Sequence, residues 1–105
     1  MKYEAVIERC ACERALRELG VRSLKLNVTG STGWPDRLFF IPGGRPLFIE
    51  FKRPGEEPGP KQLHIHAWLR HIKYEVQVHD TVEGAFQAIL EAIKRRSVRR
   101  PDTAT

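Results

Sequence analysis

The feature that most constrains the fold of this chain is a pair of apolar segments joined by a Gly-Gly turn. Residues 37–41 are Arg-Leu-Phe-Phe-Ile, residues 46–52 are Pro-Leu-Phe-Ile-Glu-Phe-Lys, and Pro42-Gly43-Gly44-Arg45 lies between them. Two such runs separated by a Gly-containing turn predict a β-hairpin. The first run is apolar on both faces after Arg37, which is typical of a central strand. We therefore expect a sheet with further elements packed on it.

The segment before the hairpin predicts a helix and a strand. Residues 3–19 are rich in Ala, Glu, Arg and Leu, contain neither Pro nor Gly, and precede Gly20, a suitable residue to end a helix. Leu24, Leu26 and Val28 then alternate with polar residues, which is the period-2 pattern of a half-exposed strand.

The segment after the hairpin predicts a helix, a strand and a second helix. Pro60 suits the first turn of a helix that runs to about Ile72, and residues 75–78 alternate weakly as a strand. The last helix is expected to begin at Asp80, with a capping box formed with Glu83. Its buried stripe has clean helical spacing and consists of Val82, Phe86, Ile89, Leu90 and Ile93.

The predicted fold class is α/β, with a mixed β-sheet flanked by helices in the order α-β-β-β-α-β-α. A chain of 105 residues suffices for one domain, which we place at residues 1–96. Residues 97–105 are predicted to form a basic, flexible tail, either a frayed terminus or an arm that grips DNA. Cys10 and Cys12 point about 200° apart on the first helix, so we expect reduced thiols.

Net charge and hydropathy indicate the cellular compartment and the class of binding partner. The net charge of +5 favours a polyanionic partner such as nucleic acid, although basic proteins are common. No apolar run approaches the length of a membrane span, and the first residues do not form a signal peptide. We therefore expect a cytoplasmic protein without a membrane partner.

Three chemically active side chains converge at one end of the predicted hairpin. Glu50 and Lys52 alternate onto one face of the second strand, and Asp36 begins the first strand. Asp36 is seven residues before Gly43 and Glu50 is six after Gly44, so a tight turn brings them together. The alternative is that Glu50 and Lys52 form an ion pair on an exposed strand face, which would have no catalytic role and little effect on stability.

Carboxylates on rigid strands beside an amine suit metal-assisted phosphodiester hydrolysis. Hard oxygen ligands favour Mg²⁺ or Mn²⁺, which polarises phosphate and activates water. Lys52 is positioned to stabilise charge on the transition state. The backbone carbonyl of Phe51 is a further candidate metal ligand, although the sheet can equally use it.

The order of these motifs resembles the VRR-NUC family of PD-(D/E)xK nucleases. The resemblance covers about residues 4–86 and is carried by residues 34–38, the turn at 42–45, Leu47-Phe48-Ile49-Glu50-Phe51-Lys52-Arg53-Pro54-Gly55, and Gln62. The resemblance implies a restriction-endonuclease-like core. The family members that match are stand-alone proteins of phages and bacteria, which resemble Holliday junction resolvases.

The resemblance also implies roles for individual residues. Asp36 and Glu50 would be metal ligands, Lys52 the catalytic lysine and Gln62 a catalytic glutamine facing the site; the alternative for Gln62 is a polar residue that caps a loop. The family has a glutamate on its first helix, for which Glu8 is favoured over Glu4 as catalytic residue and metal ligand.

Five further positions are predicted to contact DNA. The loop before Asp36 contributes Ser31, Thr32 and Trp34, whose ring would either stack on a base or plug the edge of the core. Arg53 and Lys61 follow the catalytic strand and are placed to meet phosphates, although exposed basic residues need no function.

These inferences predict a Mg²⁺- or Mn²⁺-dependent DNA endonuclease, acting on branched or four-way DNA as a homodimer. A homodimer with two sites would cut two strands symmetrically. The alternative is a non-catalytic DNA- or partner-binding module on the same fold. A zinc site is disfavoured, since His64, His66 and His71 have no partner set with ligand spacing, and they are expected to be surface or groove-lining residues.

Overall fold

The computed structural model describes residues 3–99, with the backbone alone for residues 96–99. The first helix, α1, spans Tyr3–Arg14 and continues as a π-helical segment, Ala15–Leu19. Gly20 ends it in the left-handed conformation with φ of 69°, and its N–H donates to the Leu16 carbonyl at 3.1 Å. The predicted helix is therefore confirmed, with a wider final turn than an α-helix has.

Four strands and two more helices complete the chain. The strands are β1 (Ser23–Lys25), β2 (Arg37–Phe39), β3 (Leu47–Phe51) and β4 (Glu75–His79), and the helices are α2 (Pro60–His71) and α3 (Val82–Arg99). The sheet order is β1-β2-β3-β4, with β3 and β4 parallel and the other pairs antiparallel. This is the predicted mixed sheet in the predicted order of elements.

Helices cover the two faces of the sheet. Leu47, Ile49 and Phe51 point toward α1 and α3 and join the larger core cluster, which includes Ala11 and Ile89. The opposite face packs against α2 in a smaller cluster centred on Phe48, Leu69 and Val76. Because β3 lies between these layers, all five of its residues are buried.

The strands before the hairpin turn are shorter than predicted. β1 ends at Lys25, and the chain leaves the sheet after the Leu26 N–H donates to the Asp36 carbonyl at 3.0 Å, so Val28 is exposed in a loop. β2 ends at Phe39, and the side chain of Phe40 is 53% exposed. The expectation of a strand buried on both faces through Ile41 is therefore wrong, because α2 covers the β3–β4 side of the sheet and not the end of β2.

The start of α3 differs from the predicted capping box. The hydroxyl of Thr81, not the carboxylate of Asp80, accepts the hydrogen bond of the Gly84 N–H, at 2.9 Å. Glu83 instead binds Arg14 of α1 at 2.6 Å, which ties the two helices together. The buried stripe of α3 is confirmed at Phe86 and Ile89, with Ala85, Ala88 and Ala92 beside them.

The end of the chain lies partly outside the described residues. α3 continues to Arg99, three residues into the segment predicted to be a flexible tail, and residues 100–105 of that tail lie outside the description. Cys10 and Cys12 are free thiols, as expected. Among the described residues, no helix is long and apolar enough to cross a membrane.

Candidate active site

Glu50 and Lys52 lie at the end of β3 on the side that faces α2. Their neighbours in sequence, Ile49 and Phe51, point into the opposite core, as strand alternation requires. Glu50 is 2% exposed, and its Oε2 lies 3.4 Å from Nζ of Lys52. A carboxylate and an amine are thus held side by side, as the sequence predicted, and the structure shows that the position is largely buried.

Asp36 joins them from the start of β2. The pairing of Arg37 with Ile49 places Asp36 opposite Glu50, one step further along the same register. The Phe51 N–H donates to Oδ2 of Asp36 at 2.7 Å, which fixes the aspartate to the end of β3. The predicted convergence of the two acids at one end of the hairpin is therefore seen in the structure.

The two carboxylates are electrostatically crowded. Burial, followed by the negative charge of Asp36, raises the pKa of Glu50 to about 7. Burial also raises the pKa of Asp36, against the opposing effect of its hydrogen bond from Phe51. Nearby positive charge on Lys52 lowers both pKa values but does not offset the burial. This end of the sheet therefore favours an added cation.

Gln62 connects α2 to the same carboxylate. Its Nε2 donates to Oε2 of Glu50 at 2.6 Å, and its Oε1 accepts the hydrogen bond of the Gly59 N–H at 2.9 Å. The amide therefore caps the start of α2 with one end and faces Glu50 with the other, and its catalytic role stays a prediction.

His66 is the site residue that the sequence analysis placed wrongly. It is 1% exposed, so it neither lies on the surface nor lines an open groove, and its Nε2 lies 3.7 Å from Oε1 of Glu50. Burial lowers the pKa of the imidazole, with smaller contributions from Arg70 and Lys52. The signal was its spacing: four residues after Gln62, it lies on the same helix face.

Glu8 of α1 lies near the site and forms ion pairs with two basic side chains. Its side chain is 10% exposed, and its Oε2 lies 2.8 Å from Nζ of Lys25 and 2.7 Å from Nε of Arg37. Its charge contributes to the raised pKa values of both Asp36 and Glu50. Glu4, the alternative on the same helix, is half-buried and lies 4.0 Å from Arg53. Of the two glutamates, Glu8 is the one that acts electrostatically on the site.

The loop before Asp36 packs against α2. The indole N–H of Trp34 donates to the Ser31 hydroxyl at 3.0 Å, and its ring meets that of Trp68 edge to face at 6.2 Å between centroids. Trp34 is half-buried against the smaller core cluster, so it plugs the edge of that core. Ser31 and Thr32 are exposed, as residues that contact a phosphate backbone would be.

The two basic residues predicted to meet DNA are also exposed. Arg53 binds Glu56 at 2.9 Å, so part of its charge is already neutralised within the loop. Lys61 lies in the first turn of α2, next to the 29–35 loop. Contact of Arg53 and Lys61 with DNA stays a prediction.

A divalent cation fits the chemistry of this end of the sheet. Oε1 of Glu50 is buried and has no hydrogen-bond partner among the described residues, next to a second crowded carboxylate. Asp36 and Glu50 would hold the ion. Within the described part of the chain, no group of three or more His, Cys, Asp or Glu side chains is arranged to hold a metal ion. The roles predicted for Glu8 and for the Phe51 carbonyl as ligands therefore stay predictions.

Comparison with known proteins connects this geometry to a family. No protein-family model matches the chain. A curated phage protein named "Putative nuclease p44", from Acyrthosiphon pisum secondary endosymbiont phage 1, is 38% identical over 78 residues, which are 74% of this chain and 82% of that protein.

Solved structures agree with that relationship. One described as a VRR_NUC domain superposes with a TM-score of 0.72 at 29% identity, over 90% of this chain and 97% of the other. A second, described as a VRR_NUC domain protein, has a TM-score of 0.75 at 18% identity over 90% and 89% of the two chains, and shows the shared fold. The chain belongs to the VRR-NUC family of nucleases.

Proposed function

We propose that this nuclease is a Mg²⁺- or Mn²⁺-dependent endonuclease that hydrolyses phosphodiester bonds of DNA, with Asp36, Glu50 and Lys52 at its centre. The observation that carries the proposal is the meeting of two crowded carboxylates and one amine at the end of β3, with a buried carboxylate oxygen left unpartnered. Such a group has no evident structural purpose, because it costs stability to bury.

Each side chain has a definite task in this chemistry. A bound divalent cation supplies a Lewis acid for the scissile phosphate. Asp36 and Glu50 present oxygen ligands from two paired strands, so their relative position is rigid. Gln62 holds one oxygen of Glu50 and leaves the other free. Lys52, with 17% of its side chain exposed, presents its ammonium group where negative charge develops on the phosphate.

The test is cleavage of labelled DNA by wild type and by Lys52→Ala, each with and without Mg²⁺ or Mn²⁺. We expect cleavage by wild type with either ion, and a loss on the order of 10²- to 10³-fold for Lys52→Ala, because removal of one transition-state contact typically has that effect. Lys94→Ala is the matched control, since Lys94 is an exposed lysine on α3. If all three proteins bind DNA and none cuts it, the chain is instead a non-catalytic binding module.

Branched or four-way DNA is the substrate class we propose. It is supported by the resemblance of the chain to stand-alone members of the family, which resemble Holliday junction resolvases. The panel should therefore contain linear, flap, splayed and four-way molecules of the same total length. Faster cleavage of linear duplex than of every branched form would contradict this part of the proposal.

A homodimer is the assembly that suits such a substrate, because two related sites can cut two strands. The test is light scattering coupled to size-exclusion chromatography, with and without a four-way junction. A mass near twice 12.1 kDa is the expected result for the free protein. A monomer both alone and on the junction would contradict the proposal.

A further inference from the structure

The pair of buried unpartnered groups at Glu50 and His66 is not explained by the metal site alone. Both nitrogens of the His66 ring and Oε1 of Glu50 are buried and without a hydrogen-bond partner among the described residues. Buried polar atoms in folded proteins are satisfied in the large majority of cases. Two of these atoms, Nε2 of His66 and Oε1 of Glu50, lie 3.7 Å apart, and such a pair of unsatisfied groups indicates a functional requirement.

The two oxygens of Glu50 are held unequally. Oε2 accepts from Gln62 at 2.6 Å and lies 3.4 Å from the Lys52 ammonium, whereas Oε1 lies 3.7 Å from Nε2 of His66. That separation is just beyond hydrogen-bonding range. His66 and Gln62 are four residues apart on one face of α2, so one rigid helix places a nitrogen near each oxygen of Glu50.

We propose that His66 is a positioning residue for Glu50: the imidazole N–H steers Oε1, as the Gln62 amide steers Oε2, so that the carboxylate is oriented to hold the divalent cation. This inference rests on the proposed function. Partners of this kind, which orient a metal ligand without touching the metal, typically change metal affinity by 10- to 100-fold when they are removed.

The test compares His66→Gln with His66→Met. The two replacements are similar in length and flexibility, but only Gln has an N–H to donate. His64→Met is the control, because His64 is an exposed histidine two residues away on the same helix. Affinity for Mn²⁺ and Mg²⁺ is measured by isothermal titration calorimetry on each protein without DNA, and unfolding is followed in the absence of divalent ions.

We expect His66→Met to weaken binding of both ions by about tenfold or more, His66→Gln to stay within about threefold of wild type, and His64→Met to match wild type. In cleavage assays, kcat should fall for His66→Met while KM for DNA changes little, because the side chain of His66 is buried and cannot itself contact DNA. His66→Met should also unfold no more easily than His66→Gln without ions, since it removes the unsatisfied nitrogens.

Three results would overturn the inference. Equal ion affinities for the Gln and Met variants would mean that the side chain only fills space. Loss of Mn²⁺ binding with Mg²⁺ binding retained would make the imidazole a direct ligand rather than a positioning group. Failure of wild type to bind either ion would contradict the proposed function as well. If wild type binds ions and cleaves DNA, and the Gln and Met variants have equal ion affinities, the proposed function stands and only this inference is refuted.

Discussion

Glu50 illustrates how burial and function oppose each other at a single residue. The side chain is 2% exposed and faces Asp36, so ionisation is unfavourable until a cation is present. Gln62 and Lys52 partly compensate at one oxygen. The charge that stays uncompensated lowers the stability of the folded protein. Stability measurements therefore report on the ionisation of Glu50.

A pH-dependent stability difference between wild type and Glu50→Gln follows from this raised pKa. The pKa of Glu50 is about 7 in the folded protein and near 4.5 when unfolded. Between these pH values Glu50 is protonated in the folded state and ionised in the unfolded state. The free energy of unfolding of wild type therefore falls, relative to that of Glu50→Gln, by up to about 3 kcal/mol as pH rises from 4.5 to 7. Glu50→Gln should lack this decline.

The measurement is urea unfolding of both proteins at several pH values, without divalent ions. We expect the variant to gain on wild type as pH rises and the difference to level off above pH 7. Parallel stability curves for the two proteins would contradict the raised pKa.

At the scale of elements, the loop before Asp36 depends on close backbone contact with α2. Gly33 has φ of +97°, and a Cβ there would lie 2.6 Å from the Lys61 carbonyl oxygen. Only glycine allows both the backbone conformation and the approach. The loop that carries Ser31 and Thr32 is thereby fastened to the helix that carries Gln62.

Gly33→Ala should therefore destabilise the protein more than Gly30→Ala. Both glycines have positive φ, but nothing lies within 4 Å of a Cβ at Gly30. We expect a cost of about 1 kcal/mol for Gly30→Ala, from conformational strain alone, and at least about 2 kcal/mol for Gly33→Ala, where the backbone must also move. Midpoints of chemical unfolding give the comparison, and equal costs would show that the Lys61 contact yields without strain.

For the whole molecule, the site depends on helices packed against both faces of β3. α1 and α3 cover one face, with Ile89 completely buried, and α2 covers the other. Asp36, Glu50 and Lys52 come from the hairpin, Gln62 and His66 from α2, and the charge of Glu8 from α1. A small domain has little stability in reserve, so loss of either layer threatens the geometry of the site.

Ile89→Ala tests this dependence at a distance from the chemistry. We expect a loss of about 2–5 kcal/mol, typical of a large side chain removed from a packed core. Leu24→Ala is the control, because Leu24 is 52% exposed at the edge strand, and it should cost less than about 1 kcal/mol. Thermal and chemical unfolding of both variants decides; similar costs would mean that the α3 layer contributes little to stability.

Local patterns were enough to predict the elements, their order and the meeting of Asp36, Glu50 and Lys52. Turn composition and side-chain alternation act over a few residues, and the register of a hairpin follows from counting outward from its turn. The same patterns overestimated β1 and β2, because alternation does not reveal where a covering helix stops.

The surroundings of Glu50 depended on long-range packing. His66 is buried, and Gln62 binds Glu50, because α2 packs on β3. Glu8 forms its ion pair with Arg37 because α1 packs on the sheet. Helical spacing aligns Gln62 with His66 on one face, but it does not say which strand that face will meet. That choice is made by the fit of whole layers, whose free energy is shared among many side chains and is not encoded in any short segment.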